Sequence, residues 1–413
     1  MSYYFSLSAG HVSTFWSPWG KFEAGPRCNF GCAAIDNENI LIVGGSAARG
    51  YEGLSSCYIW NSRDKTWKRL PDIPKKMAYC RAARLHNYVY VLGESDFYRY
   101  PIVHLEFERT EDEHDDSGPR SWKKLPLDPI HGAGFSFVSS WEMGKGIEQP
   151  AYLYRVGGTG DLRGAAKFCA IKNEWEILPL LQTGRCYHAC VVVKETVFVV
   201  GGINGNTGEG LRSMEVLCDK KKHIPENIDE KNDEKIDDGW QCGPDLPISL
   251  CYSSALVLDS DYIVLTGGKL LSIGKPEPYC FFKHYKFSSW RRLPEDLTQA
   301  FGEHSAVTTG NNLVYVMGGI NNSLMLRGNM GIIAAQVDLR SQNDAMEYLN
   351  SQNSSSNSLS LKDERETASV SHLFSETGKH QVKEEAESGL LFHWRRFFSC
   401  CAVPDSNSIN YNT

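Results

Sequence analysis

Cysteine and histidine are the side chains in this chain best equipped for metal or nucleophilic chemistry. Cys28 and Cys32 form a Cys-x3-Cys pair that Cys186 and Cys190 repeat. Such spacing points to a metal site, yet the close Cys-x2-Cys pairs of structural zinc sites are absent from the sequence. An acidic run from Glu108 to Arg120, ERTEDEHDDSGPR, holds His114 and would attract a cation or a basic partner if it is more than a solvated loop. Gly201-Gly202-Ile203-Asn204-Gly205 is rich in glycine, but no helix follows to orient a phosphate, so it reads as a turn. Near the C-terminus, Trp394, Arg395, Arg396, Phe397 and Phe398 precede Cys400 and Cys401, a pattern that fits palmitoylation at a membrane, a docking peptide or a strand.

The elements that must position these residues recur. From Thr183 to Gly202 the sequence TGRCYHACVVVKETVFVVGG gives a polar turn, an apolar run, a break at Lys194 and Glu195, a second apolar run and a glycine pair. That is the pattern of two buried strands joined by a tight hairpin. The same order returns from Arg27 (RCNFGCAAIDNENILIVGG), Leu250 (LCYSSALVLDSDYIVLTGG) and Phe301 (FGEHSAVTTGNNLVYVMGG). A period of roughly fifty residues points to a propeller or a solenoid. The glycine pairs fall at Gly44-Gly45, Gly157-Gly158, Gly201-Gly202, Gly267-Gly268 and Gly318-Gly319, and Gly93-Glu94 fills the same slot in degenerate form. Six units result.

A glycine pair closing the second strand, a later tryptophan and the exits WKRL, WKKL, WEIL and WRRL together resemble the kelch repeat, over most of residues 12–340. The resemblance implies an all-β, six-bladed propeller of four-stranded blades over residues 27–340. Trp67, Trp122, Trp175, Trp240 and Trp290 are expected on the outermost strands, packing inward across their own blades. Aligned on the repeat, both cysteine pairs fall on or beside a first strand at equivalent phases, so they read as small core residues.

Composition narrows the class. Lys and Arg number 43 against 50 Asp and Glu, and the net charge of −7 with no basic block argues against sequence-independent nucleic-acid binding. The opening MSYYFSLSAGHVSTF lacks the charged and apolar regions of a signal peptide. No apolar run reaches the roughly eighteen residues of a membrane-spanning helix. The 13 cysteines, an odd total, fit reduced thiols in a soluble, cytoplasmic protein.

The last unit, from Phe301, contains a third strand candidate in GIIAAQVDL but no tryptophan strand. The N-terminal segment 1–26, with Trp16 and Trp19, is expected to supply the missing outer strand, since a terminus that completes the last blade removes a free edge. Leu391 to Phe398, LFHWRRFF, is the rival. Insertions are expected at about 108–120, 139–149 and 219–239, on the face opposite the glycine loops. Residues 341–413, rich in Ser and Asn before the aromatic-basic segment 389–401, read as a disordered tail with sites for phosphorylation.

In a kelch-like propeller the resemblance places the binding face where the loops after the glycine pairs meet the loops before the first strands. Here those positions hold Arg49, Tyr51, Asp161, Arg163, Asn204, Asn206 and Asn321 after the glycines, and Arg27, Asn29, Tyr79, Arg185, Tyr187, Tyr252, Glu303 and His304 before the strands. Arg and Tyr mixed with Asn, Asp and Glu suit a protein or peptide ligand. Arg27 and Arg185 share a phase, as do His188 and His304, so these residues read equally as loop braces. The expectation is a monomeric, non-catalytic adaptor or scaffold with no cofactor, no metal and no nucleic-acid partner, and with membrane contact only through the tail. Two alternatives stay open: a substrate receptor of a ubiquitin ligase, although neither a BTB nor an F-box domain has room here, and a metal-dependent enzyme. The Glu-x3-Asp-x3-His iron motif of kelch-like specifier proteins is absent, and nothing singles out the tyrosine, cysteine and histidines of copper-radical oxidases.

Overall fold

A computed structural model describes residues 15–23, 25–48, 52–102, 121–140, 151–217, 239–286, 289–309, 312–321 and 331–337. They belong to the compact unit Met1–Ser341. All regular elements among them are strands, arranged as six four-stranded antiparallel blades and two short two-stranded ladders, Arg185–Cys186 with Ile203–Asn204 and Lys269–Leu270 with Lys275–Pro276. Blade one holds Gly31–Ala34, Asn39–Val43, Cys57–Asn61 and Trp67–Leu70. Blade two follows with Arg81–Leu85, Tyr88–Leu92, Phe97–Pro101 and Lys123–Lys124, and blade three with Ser136–Ser139, Tyr152–Val156, Ala165–Cys169 and Glu174–Ile177. Blade four comprises Ala189–Val193, Thr196–Val200, Met214–Leu217 and Gln241–Gly243. Blade five comprises Ser254–Leu258, Tyr262–Thr266, Cys280–His284 and Arg291–Arg292.

Blade six takes Ser305–Thr308, Leu313–Met317 and Gly331–Gln336 from the end of the ring and Ser17–Lys21 from its beginning. Ser17 faces Ala334 and Lys21 faces Gly331, with a bulge between Pro18 and Gly20. The N-terminal strand is thus the clasp; the rival around Trp394 lies outside the described residues. The insertions expected near 108–120 and 219–239 fall between third and fourth strands, and that near 139–149 between first and second, almost wholly outside the described residues.

Each apolar strand buries its side chains against the neighbouring blade. Leu41 and Ile59 of blade one pack with Val89, Tyr98 and Trp122 of blade two. Phe30, Ile40 and Trp60 pack with Tyr315, Met317 and Ile332 of blade six, with the Trp60 and Tyr315 rings edge to face at 5.3 Å. The hairpin break at Lys194 and Glu195 has both residues at positive φ, 47° and 69°, as a two-residue type I′ turn requires.

The glycine pairs work across the same seams. Gly318 and Gly319 have φ of 62° and 80°, and the Gly319 amide donates to the Arg27 carbonyl at 2.8 Å, joining blade six to blade one. A Cβ on Gly318 would stand 2.7 Å from the Phe30 ring, and one on Gly319 would stand 2.6 Å from the His304 Cβ. Both the conformation and the space therefore demand glycine.

The tryptophans pack on their own blades as expected, Trp122 on Tyr100 at 5.1 Å and Trp175 on Phe168 at 5.2 Å, and they also bridge the seams. Trp67 and Trp175 lie on outer strands, whereas Trp122, Trp240 and Trp290 immediately precede theirs. Four indoles reach back across a seam to a proline carbonyl of the preceding blade's exit: Trp122 Nε1 to Pro71 at 2.8 Å, Trp175 to Pro126 at 3.2 Å, Trp240 to Pro179 at 2.8 Å and Trp290 to Pro244 at 3.0 Å. Trp67 packs on Phe22, which follows the clasp strand, at 5.5 Å. The W..LP exits are latches between blades.

Candidate functional site

Two residues before each first strand the chain turns at a position that repeats around the ring: Asn29, Tyr79, Gly134, Tyr187, Tyr252 and Glu303. Asn29, Gly134, Tyr187, Tyr252 and Glu303 all have left-handed backbones, with φ of 52°, 67°, 54°, 57° and 61°. That conformation carries a steric cost for every residue but glycine, and such strain persists where the surroundings over-determine it. Here the surroundings include a circumferential run of backbone hydrogen bonds. The amide of Asn29 donates to the Glu303 carbonyl at 3.1 Å, Cys80 to Asn29 at 3.2 Å, Tyr187 to Gly134 at 2.6 Å, Tyr252 to Tyr187 at 2.8 Å and Glu303 to Tyr252 at 3.1 Å.

The side chains continue the collar. Asn29 Nδ2 donates to Glu303 Oε2 at 2.7 Å, and Lys269 Nζ donates to Glu303 Oε1 at 2.8 Å. The same ammonium lies 5.0 Å from the centre of the Tyr252 ring, which stacks on Tyr187 at 4.4 Å. Tyr187 in turn lies where a Cβ on Gly134 would be, 2.9 Å away. Asn29, Glu303, Lys269 and Tyr187 are buried. The arrangement is a layer of buried polar and aromatic groups at the glycine-loop end of the channel, held by paired charges.

Other predicted residues stand apart from this layer. Arg27 and Arg185 are 1% and 0% exposed, so neither presents its side chain to a partner. Arg27 donates to the Gly44 carbonyl at 2.8 Å, the Ser56 carbonyl at 3.2 Å and Ser56 Oγ at 2.6 Å. Arg185 donates to the Gly201 and Ser213 carbonyls at 3.0 and 2.9 Å, to Ser213 Oγ at 3.0 Å and to Glu215 Oε1 at 2.7 Å. Burial lowers the pKa of both guanidiniums, opposed at Arg185 chiefly by Glu215. Of the two readings of these arginines, the structure gives the brace.

His304 and His188 are buried too. His304 Nε2 meets Thr266 Oγ1 at 3.0 Å, and burial pulls its pKa down to about 4. Burial and the cationic Arg185, Arg155 and Arg81 hold His188 well below the usual range. The exposed predicted residues form the surrounding rim. Asp161 Oδ1 accepts from the amides of Arg163 and Gly164 at 3.1 and 3.0 Å, and Arg163 Nε donates to the Leu181 carbonyl. Asn204 Oδ1 caps a turn through the amides of Asn206 and Thr207 at 3.0 and 3.3 Å, leaving Asn206 exposed. Asn321 is exposed and donates to Gln299 Oε1 at 3.3 Å. Arg49, Tyr51, Cys400 and Cys401 lie outside the described residues.

Lys269 is the collar residue whose weight the repeat alone does not disclose, because its partner Glu303 belongs to the next blade. The pair of Arg155 Nε and Asp128 Oδ2 at 2.8 Å is another. Gly132 occupies the brace position of blade three, and Arg155 supplies the guanidinium from the second strand, donating also to the His131 carbonyl at 3.1 Å and to the Gly157 carbonyl. A charged residue inside the apolar run YLYRV is the signal for such a buried pair.

The buried cysteines among the described residues are free thiols in apolar or backbone-lined sites. Cys28 Sγ donates to the Ser46 carbonyl at 3.6 Å and Cys251 Sγ to the Lys269 carbonyl at 3.4 Å. Burial pushes Cys32 and Cys186 up to about 12. Among the described residues no group of three or more His, Cys, Asp and Glu is placed to hold a metal ion. No helix among them is long and apolar enough to cross a membrane.

Six blades closed by an N-terminal strand, joined at glycine pairs and latched by tryptophans, define a kelch-type propeller, and the kelch motif model matches residues 26–74 and 184–223. The chain is a kelch-repeat protein. It is similar to kelch domain-containing protein 8B of Mus musculus, 26% identical over 165 residues, 37% of this chain and 42% of that protein. It is also similar to kelch domain-containing protein 10 of Xenopus laevis, 27% identical over 193 residues, 41% and 43% of the two chains. Against kelch repeat and BTB domain-containing protein 2 of Cowpox virus (strain Brighton Red) the identity is 35% over 79 residues, 19% of this chain and 14% of that one. The match spans less than half the length of each of these relatives.

Proposed function

We propose that this protein is a non-catalytic adaptor that binds a protein or peptide on its glycine-loop face. The observation that carries the reading is the strained, buried, charge-paired collar ringed by exposed polar loops. Strain concentrates where function or over-determined geometry holds it, and a rigid base with an exposed polar rim suits recognition by hydrogen bonds at the rim. Asn206, Asn321 and His131 are exposed members of that rim, so their substitution spares the braces.

The test is proximity labelling with the full chain, its Asn206→Arg/Asn321→Arg/His131→Glu variant and an Ile171→Asp variant. Ile171, 86% exposed in the turn joining the third and fourth strands of blade three, belongs to the opposite face. Partners lost from the triple variant but kept by Ile171→Asp, at unchanged unfolding midpoints, are expected. The reverse pattern moves the binding surface to the hairpin face and ends this reading.

A further inference from the structure

The six first strands enclose a channel of about 530 Å³, within the range of small-ligand cavities. Its wall is mostly small side chains, among them Cys32, Ala34, Ala255 and Ala306. At its collar end it includes Arg81, whose one hydrogen bond runs from Nη1 to the Cys80 carbonyl at 2.9 Å. Arg155, Arg185 and Lys269 each have a carboxylate at 2.7 to 2.8 Å. Among the described residues Arg81 has none within ion-pair distance, and most of its N–H donors are uncommitted. We propose that the channel binds a monocarboxylate, with the Arg81 guanidinium taking the carboxylate and the apolar body lying along the first strands.

Two observations set that chemistry. A guanidinium offers a planar fork that matches a carboxylate in two parallel hydrogen bonds. Glu303 acts on Arg81 through space without pairing to it, because Asn29 and Lys269 occupy its oxygens. Its negative charge disfavours a dianion such as a phosphate ester. Ser139, Ser260 and Thr308 line the channel at its hairpin end, away from the collar. The loop-face reading does not depend on this site.

Calorimetric titration of the full chain with hexanoate, hexanol and hexyl phosphate tests the assignment. Hexanoate is expected to bind, the other two to bind at least about tenfold more weakly, and Arg81→Met to remove the difference, as loss of hydrogen bonds to a charge implies. Equal binding of hexanol, tighter binding of hexyl phosphate, or hexanoate binding unchanged by Arg81→Met overturns it. Should Arg81→Met fail to fold, Arg81→Lys, which loses the fork, and Ala255→Leu, which narrows the lumen, are each expected to weaken hexanoate, and no change in either is equally fatal. A short apolar peptide with a free C-terminus, beside its amide, separates the sources: a free acid tighter than hexanoate assigns a chain terminus, and a weaker one assigns a small metabolite.

Discussion

Blades one and four place an arginine at the same repeat position and solve its burial differently. Arg185 is neutralised by Glu215, which also accepts the amides of Gln182 and Thr183 at 2.7 and 2.9 Å. The register of the strands puts Tyr58 where blade four has Glu215, and the Arg27 guanidinium lies 5.3 Å from its ring centre while donating to Gly44 and Ser56. A buried cation can thus be held by a countercharge or solvated by carbonyls, a hydroxyl and a ring. The first arrangement gains more from its partner and loses more without it, because the remaining charge is left unpaired in a low-dielectric site.

The largest effect expected from that difference is at Glu215. Glu215→Ala should cost about 3–5 kcal/mol, the usual result of stranding one partner of a buried pair, read as a drop in the urea midpoint. Removing both charges in Arg185→Met/Glu215→Leu should restore most of the loss, since hydrophobic replacements of a buried pair are often neutral. A Glu215→Ala change of less than about 1 kcal/mol, the range of exposed pairs, would mean that the carbonyls and Ser213 suffice, and the contrast with Arg27 would vanish.

One residue before each first strand the blades differ again: Phe30 in blade one, His188 in blade four and His304 in blade six. His304 is depressed to about 4 by burial, against about 6.5 in the unfolded chain. The unfolded state therefore binds the extra proton first, and stability falls as pH drops from about 6.5 to 4, by about 1.4 kcal/mol per pH unit for this residue. His188 acts in the same direction. His304→Phe, which borrows blade one's solution, should flatten the slope of unfolding free energy between pH 6.5 and 4.5 by that amount. An unaltered slope would show that His304 is not neutral in the fold.

Much of this architecture is legible in the chain. Glycine pairs such as Gly201-Gly202 mark the seams because conformation and space there admit little else, and the missing outer strand of blade six pointed to the N-terminus because an open sheet edge must be covered. The collar was only half legible. Its positions repeat, yet Tyr187, Tyr252 and Glu303 have no preference for left-handed backbone, so the strain at them comes from tertiary hydrogen bonds between blades. Alignment showed that Arg27 and Arg185 are equivalent without showing which way they point, because their acceptors Ser56 and Ser213 lie in the loops leading to the third strands. The tryptophan latches were missed for the same reason: Trp122 and Pro71 meet only when two blades are assembled.

The smallest effect is the most direct test of the comparison. Tyr58→Glu transplants blade four's carboxylate beside Arg27. The new pair gains Coulomb energy, but it must be desolvated, and the edge-to-face contact of Tyr58 with Trp67 at 6.2 Å is lost. These contributions nearly cancel, so a net change within about 1 kcal/mol is expected. What should change is the pH response. A carboxylate held below its usual range by Arg27 contributes stability above pH of about 4.3 and loses it as pH falls towards the folded-state value. The variant should therefore gain an acid-sensitive step below pH of about 4.5 that wild type lacks at this site. A loss of more than about 3 kcal/mol at neutral pH, in the range of deleting a large buried aromatic, would instead make the Tyr58 ring the indispensable partner of Arg27, and the two blades would differ in kind and not only in charge.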